Sequence, residues 1–203
     1  MQDELLIRRA QRGDADAFEQ LLLEHQKNVY NLCYRMAGNL DDAMDLSQET
    51  FLRAWRCLDQ YQFASAFSTW LYRLCSNICI DFLRRRRRQQ TVPLTFEDAD
   101  GEEQTYAVPD AQPLPEEQVE LKLTRETLAA AMAQLLPEHR AVLQLRVVNE
   151  MSYEQIADVL DIQIGTVKSR LSRARNQLKK ILERGNLSRR ASSESMEGEV
   201  AAK

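Results

Sequence analysis

Four of the five prolines in the chain, Pro93, Pro109, Pro113 and Pro115, fall in one short stretch that also holds Glu97, Asp98, Asp100, Glu102 and Glu103. Proline removes a backbone donor and blocks helix continuation, and clustered carboxylates resist burial, so this stretch cannot build a core. It divides the chain in two. From Leu5 to about Arg88, and again from Val119 to about Arg184, apolar residues recur at helical spacing, and no alternating strand pattern interrupts either series. The expected fold is all-α: two small helical domains joined by a flexible acidic linker. The expected bounds are a first domain over 1–90, the linker over 91–122, a second domain over 123–187 and a disordered tail over 188–203.

Charge follows the same divisions. Residues 1–90 carry 13 Lys or Arg against 12 Asp or Glu, residues 91–122 one against nine, and residues 123–187 ten against seven. A basic, acidic, basic order suits two nucleic-acid-facing domains on an acidic connector, although two ordinary helical domains with an incidental linker give it too. No run approaches the roughly 18 apolar residues of a membrane span. The start, Met1-Gln2-Asp3-Glu4, lacks the basic opening and apolar run of a signal peptide, so a cytoplasmic protein without membrane insertion is expected. Cys33, Cys57, Cys75 and Cys79 all lie in helical patterns, and neither His25 nor His139 makes a ligand pair with Cys75 and Cys79. Reduced core thiols are expected, with no metal site and no cofactor.

In the first half, Asp14 and Asp41 or Asp42 are placed to cap successive helices, with breaks at Gly13, Gly38 and Asn39. A third helix is expected from about Asp42 to Gln60 and a fourth from about Ser68 to Arg87. The fourth pairs an aromatic-rich start with five arginines, Arg84, Arg85, Arg86, Arg87 and Arg88. Tyr61, Phe63, Phe67, Trp70 and Tyr72 have ring faces on which unstacked bases can lie, while the arginines hold phosphates. At helical spacing Phe67, Trp70 and Leu74 also suit a core, and an arginine run also suits a membrane surface or another anionic partner. The segment from Asp41 to Arg56 is acidic on one face, with Leu46, Phe51, Leu52 and Trp55 available for the other. That acidic face repels DNA and fits a basic helical protein surface; an acidic first turn of a helix is the plainer reading.

The stretch from Met151 to Arg175 has helix-turn-helix form. Ser152 and Gln155 make a capping box, Ile156 and Leu160 face inward, and Ala157 is small where two helices cross. After a turn at Asp161 to Gly165, Val167, Leu171, Ala174, Leu178 and Ile181 or Leu182 form a buried stripe. The opposite face carries Lys168, Arg170, Arg173, Arg175, Lys179 and Lys180, and no acid occurs between Asp161 and Glu183. Such a helix suits the DNA major groove, although solvated basic faces also occur on helices that merely close a bundle.

Four motifs in one order resemble the extracytoplasmic-function group of bacterial sigma factors, over nearly the whole chain except the linker and tail. Gly13-Asp-Ala-Asp-Ala-Phe18 resembles the family's first motif, and Asp45-Leu-Ser-Gln-Glu49 with Phe51-Leu-Arg-Ala54 its core-polymerase contact. Phe67-Ser-Thr-Trp-Leu-Tyr-Arg73 with Asn77 is similar to the promoter-melting segment. Leu136-Pro137 with Arg140, Ser152-Tyr-Glu-Gln-Ile-Ala157 and Gly165-Thr-Val-Lys-Ser-Arg-Leu171 are similar to the C-terminal DNA-binding region. The resemblance implies sigma region 2 at the N-terminus and region 4 at the C-terminus, in a protein that is no enzyme. Its implied partners are core RNA polymerase, through the beta-prime clamp helices and the beta flap, promoter DNA and an anti-sigma factor.

By position, the resemblance places Met44, Asp45, Gln48 and Glu49 on the clamp-helix contact. It places Gln62, Phe63, Ala64, Ser65 and Phe67, with Asn77, at a pocket for a flipped minus-ten base. It places Gly165, Thr166, Lys168, Ser169, Arg170, Ser172, Arg173 and Arg175 on the minus-thirty-five recognition helix. The loop departs from the family's frequent Arg-Gly pair, and Asp161 stands where glycine is frequent, a substitution that a left-handed backbone tolerates. Two other classes stay in view. A transcription regulator that binds promoters without polymerase also ends in a helix-turn-helix. So does a site-specific recombinase, but that needs strands and a nucleophilic serine, and the N-terminal half shows no strand pattern.

Overall fold

Every element is helical among the described residues, 2–91 and 116–200 of a computed structural model; the heart of the expected linker, 92–115, lies outside them. In chain order the helices are α1 (Gln2–Ala10), α2 (Ala15–Ala37), α3 (Leu40–Cys57), α4 (Phe67–Thr91), α5 (Glu116–Ala133), α6 (Pro137–Leu143), α7 (Tyr153–Leu160) and α8 (Ile164–Val200). A 3-10 turn at Leu58–Gln60 extends α3, and a π-helical turn at Gln144–Val148 follows α6.

Local chemistry accounts for the breaks. Gly13 and Gly38 both take φ of 91°, a conformation that costs a residue with a Cβ. Asp14 Oδ1 accepts from the Ala17 amide at 3.0 Å and caps α2. The cap of α3 is Asn39, whose Oδ1 accepts from the Asp42 amide at 2.8 Å. This corrects the assignment to Asp41 or Asp42: Gly38 ends α2 so abruptly that the extended residue before α3 is Asn39, and both aspartates lie in the first helical turn. In the second half the Ser152–Gln155 capping box forms as expected, and Asp161 takes the left-handed conformation at φ 52°, ψ 54°.

Helix α5 begins at Glu116, inside the span 91–122 expected of the linker. Helix α8 continues to Val200, across most of the span 188–203 expected as a tail.

The two halves share one continuous core. Ile7, Leu21, Met36, Leu58 and Leu71 fill the first half, and Leu145, Ile156, Val159 and Val167 the second. Helix α4 is central, packing on α2 and α3 with one side and on α6 and α7 with another. Polar contacts cross the same seam. Arg140 Nε donates to the Arg35 carbonyl at 3.1 Å, placing a cation at the C-terminal end of α2, where carbonyls lack helical partners. Arg73 Nε donates to the Asp158 carbonyl at 2.9 Å, and Asn149 Nδ2 to the Tyr72 hydroxyl at 3.2 Å. Leu21 is fully buried in this core, so Leu21→Ala is expected to cost about 2–5 kcal/mol of stability. Urea unfolding with an unchanged midpoint would contradict this packing.

Candidate partner face and nucleic-acid interface

Helix α3 buries Ala43, Leu46, Ser47, Thr50 and Ala54, the i, i+3, i+4, i+7 and i+11 positions of one helix face. The intervening positions therefore face outward, and Met44, Asp45, Gln48 and Glu49 are all exposed on this one helix. The apolar residues expected on its inner side divide. Leu46 is buried, whereas Leu52 is 52 % and Trp55 38 % exposed, because neither lies on the buried stripe. With Phe18, Leu22 and Phe51 they line a groove that Gln48 also borders. The candidate partner face thus joins an acidic strip to an apolar groove. The off-stripe positions of Leu52 and Trp55 are the signal in the sequence that points to the groove.

The candidate minus-ten residues do not form one surface. Tyr61 and Phe67 are core residues, 6 % and 5 % exposed, so neither has a free ring face for a base. Tyr61 sits among Phe63, Phe67 and Trp70 at centroid distances of 4.9–5.7 Å, and its hydroxyl donates to the Ser65 carbonyl at 2.6 Å. Ring-to-ring packing is the reason: each aromatic gains more from its neighbours than from water. Phe63 remains at the surface with φ 59°, its ring under the Arg8 guanidinium at 4.8 Å. Gln62 and Ala64 are exposed, while Ser65 and Trp70 are half-buried.

Asn77 is exposed but lies ten residues along α4 from Phe67, about 15 Å at 1.5 Å per residue. It borders a cleft of about 420 Å³ between the two halves, with Arg53, Asp81 and Arg84 on one side and Glu138, Ile162 and Arg170 on the other. Asn77 is therefore placed against the second half rather than against the loop from Gln62 to Phe67. Arg84 donates through Nη2 to Glu138 Oε1 at 2.6 Å, and Arg86 Nη1 lies 2.9 Å from Asp42 Oδ2. Burial opposes the Glu138 carboxylate, but its own backbone amide and Arg84 outweigh that and hold its pKa below the usual range. Arg85 and Arg88 donate to carbonyls of their own helix, and all five arginine side chains are exposed.

On α8, Val167, Leu171 and Ala174 are buried as the stripe requires. Gly165, Lys168, Ser169, Ser172, Arg173 and Arg175 are exposed, and Thr166 is half-buried with its carbonyl accepting from Ser169 Oγ at 3.0 Å. Arg170 is the exception on the basic face. It is half-buried and turned into the cleft that holds Asn77.

Residues 21–89 match the family Sigma-70 region 2, and residues 125–178 match Sigma-70, region 4. The chain is 33 % identical over 176 residues to the ECF RNA polymerase sigma factor SigW of Bacillus subtilis, covering 87 % of this chain and 94 % of that one. Among solved structures it resembles CnrH in complex with the cytosolic domain of CnrY, with a TM-score of 0.63 and 26 % identity over 90 % of this chain and 98 % of that one. It also resembles the sigma factor RpoE in complex with the anti-sigma factor NepR from Bartonella quintana, with a TM-score of 0.57 and 27 % identity, covering 82 % and 96 %.

Proposed function

The chain belongs to the extracytoplasmic-function sigma factors, subunits that bind core RNA polymerase and direct transcription from particular promoters, and from that premise we propose which of its surfaces does each part of the work. Residues 1–90 act as region 2 and residues 123–187 as region 4, and the chain itself is no enzyme. The exposed strip of Met44, Asp45, Gln48 and Glu49 takes the beta-prime clamp helices, with the groove at Leu52 and Trp55 receiving their apolar side chains. The exposed Lys168, Arg173 and Arg175 of α8 enter the minus-thirty-five major groove, opposite a stripe whose burial holds the helix in place. That acid-free outward face on the second helix of a capped helix-turn-helix is the observation that carries the reading. No described helix is long and apolar enough to cross a membrane, which suits work on DNA in the cytoplasm.

The seam between the halves adds a condition. Asn77 and Arg84, assigned here to the minus-ten element, face Glu138 and Arg170 of the second half across the cleft. Promoter DNA therefore reaches them once region 4 has moved off α4, and the arrangement described is a closed one. A partner of the anti-sigma class that stabilises the seam would hold the factor off DNA. Core RNA polymerase, which binds both halves, would separate them.

Run-off transcription with purified core polymerase on a promoter library tests the reading: transcripts are expected from a defined promoter set only when this chain is added. Tight promoter binding without polymerase, and no added transcription with it, would favour an ordinary regulator. The pocket role of Asn77 has its own measurement. Unstacking a base costs a few kcal/mol, and an amide can both donate to and accept from its Watson–Crick edge. Asn77→Ala is expected to leave closed-complex formation nearly unchanged and to slow opening by about tenfold, with much of the loss recovered on a pre-melted template. Permanganate footprints with wild-type opening on a fully duplex promoter would remove Asn77 from the pocket.

A further inference from the structure

Three of the four cysteines meet inside the first half. Cys33 comes from α2, and Cys75 and Cys79, one turn apart, share a face of α4. The Cys33 and Cys75 sulfurs are 3.4 Å apart, those of Cys33 and Cys79 3.9 Å, and all three lie within 4.8 Å of one another. All three residues are fully buried, none is in a disulfide, and Cys57 stands apart from them.

Small core thiols account for the burial but not for the convergence of three sulfurs from two helices. Metal–thiolate bonds of about 2.3 Å around a three-coordinate ion place sulfurs about 4 Å from one another. The triangle is already near that spacing. Among the described residues no fourth His, Cys, Asp or Glu joins it, and its three cysteines all lie inside the core. Structural zinc sites take four protein ligands, so the vacancy in the ligand set argues against zinc. Soft thiolates also select copper(I), which accepts three ligands or two. Charge points the same way. A univalent ion with two thiolates and one neutral thiol leaves a single negative charge, and the Arg140 guanidinium, 4 % exposed, lies close enough to act on Cys79.

We propose that Cys33, Cys75 and Cys79 form a three-sulfur site for one copper(I) ion. Two of the thiols release their protons to solvent as the ion binds. Arg140, the cation that acts on Cys79, also bonds the end of α2 through its Nε.

The test uses the full chain, reduced with a phosphine under anaerobic conditions and shown to carry four free thiols after denaturation. It is loaded with copper(I) as its acetonitrile complex, or with zinc(II) chloride, and desalted in the presence of a copper(I) chelator. One copper per chain is expected to remain. Cys75→Ala and Cys79→Ala are each expected to lower retention at least about tenfold while still binding core polymerase, and Cys57→Ser to leave it unchanged. X-ray absorption of the loaded wild type should show sulfur alone in the first shell, at about 2.3 Å, a reading that does not depend on whether the variants fold. No retained copper, preferential retention of zinc, retention unaffected by Cys75→Ala and Cys79→Ala, or nitrogen and oxygen scatterers in place of sulfur would each overturn the proposal.

Discussion

Replacing Asp45 and Glu49 together with lysine is expected to abolish binding to core RNA polymerase while leaving the fold intact. Both side chains are exposed on α3, and the packing of that helix rests on Ala43, Leu46, Thr50 and Ala54, which the change does not touch. Charge pairs across an interface are coupled by about 1.5–7 kcal/mol each, and reversal replaces attraction with repulsion at the same distance. Two such reversals amount to a loss of about a hundredfold or more in affinity. Titration of a labelled chain with core polymerase reads the loss, and an unchanged far-UV circular dichroism spectrum shows that the helices remain. Wild-type affinity in the double variant would take this face out of the polymerase contact.

The second large effect is expected on α8. Lys168→Ala with Arg173→Ala removes two exposed cations from the face opposite Val167, Leu171 and Ala174. A side chain that reads a base edge contributes about 1–3 kcal/mol of discrimination, whereas one that holds a phosphate weakens binding to all sequences alike and lowers the salt slope by about one. The double variant is expected to lose tenfold or more in promoter recruitment and to keep its affinity for core polymerase. A salt series separates the two roles: a change in promoter preference marks a base reader and a shallower slope a phosphate contact. Equal transcription by wild type and variant at every salt concentration would remove this helix from the DNA interface.

Much of this architecture is legible in the sequence because its signals are local. The Ser152–Gln155 box, the start of the α8 stripe at Val167, Leu171 and Ala174, and the left-handed tolerance of Asp161 each depend on residues within a turn or two and form as read, while the stripe's continuation at Leu178 and Ile181 is half-buried. The outward set on α3 is legible for the same reason, since the spacing of its buried residues leaves Met44, Asp45, Gln48 and Glu49 outside. Aromatic residues behave otherwise. Tyr61, Phe63, Phe67 and Trp70 look alike as base platforms in the sequence, yet Tyr61 and Phe67 turn inward and Phe63 stays at the surface.

The sequence by itself determined the all-helical class, the division around the proline-rich stretch, the helix-turn-helix and the family. Helix periodicity, caps and breakers act over a few residues, so the chain states them directly. Only the tertiary structure decided which aromatics are core, where Asn77 faces and how the two halves meet. Those outcomes rest on contacts between distant residues, such as Arg140 with Arg35, separated by 105 positions, and Cys33 with Cys75, separated by 42. No local pattern records such a pairing, because it arises when one helix face meets another and each side chain takes the place that the packing leaves for it.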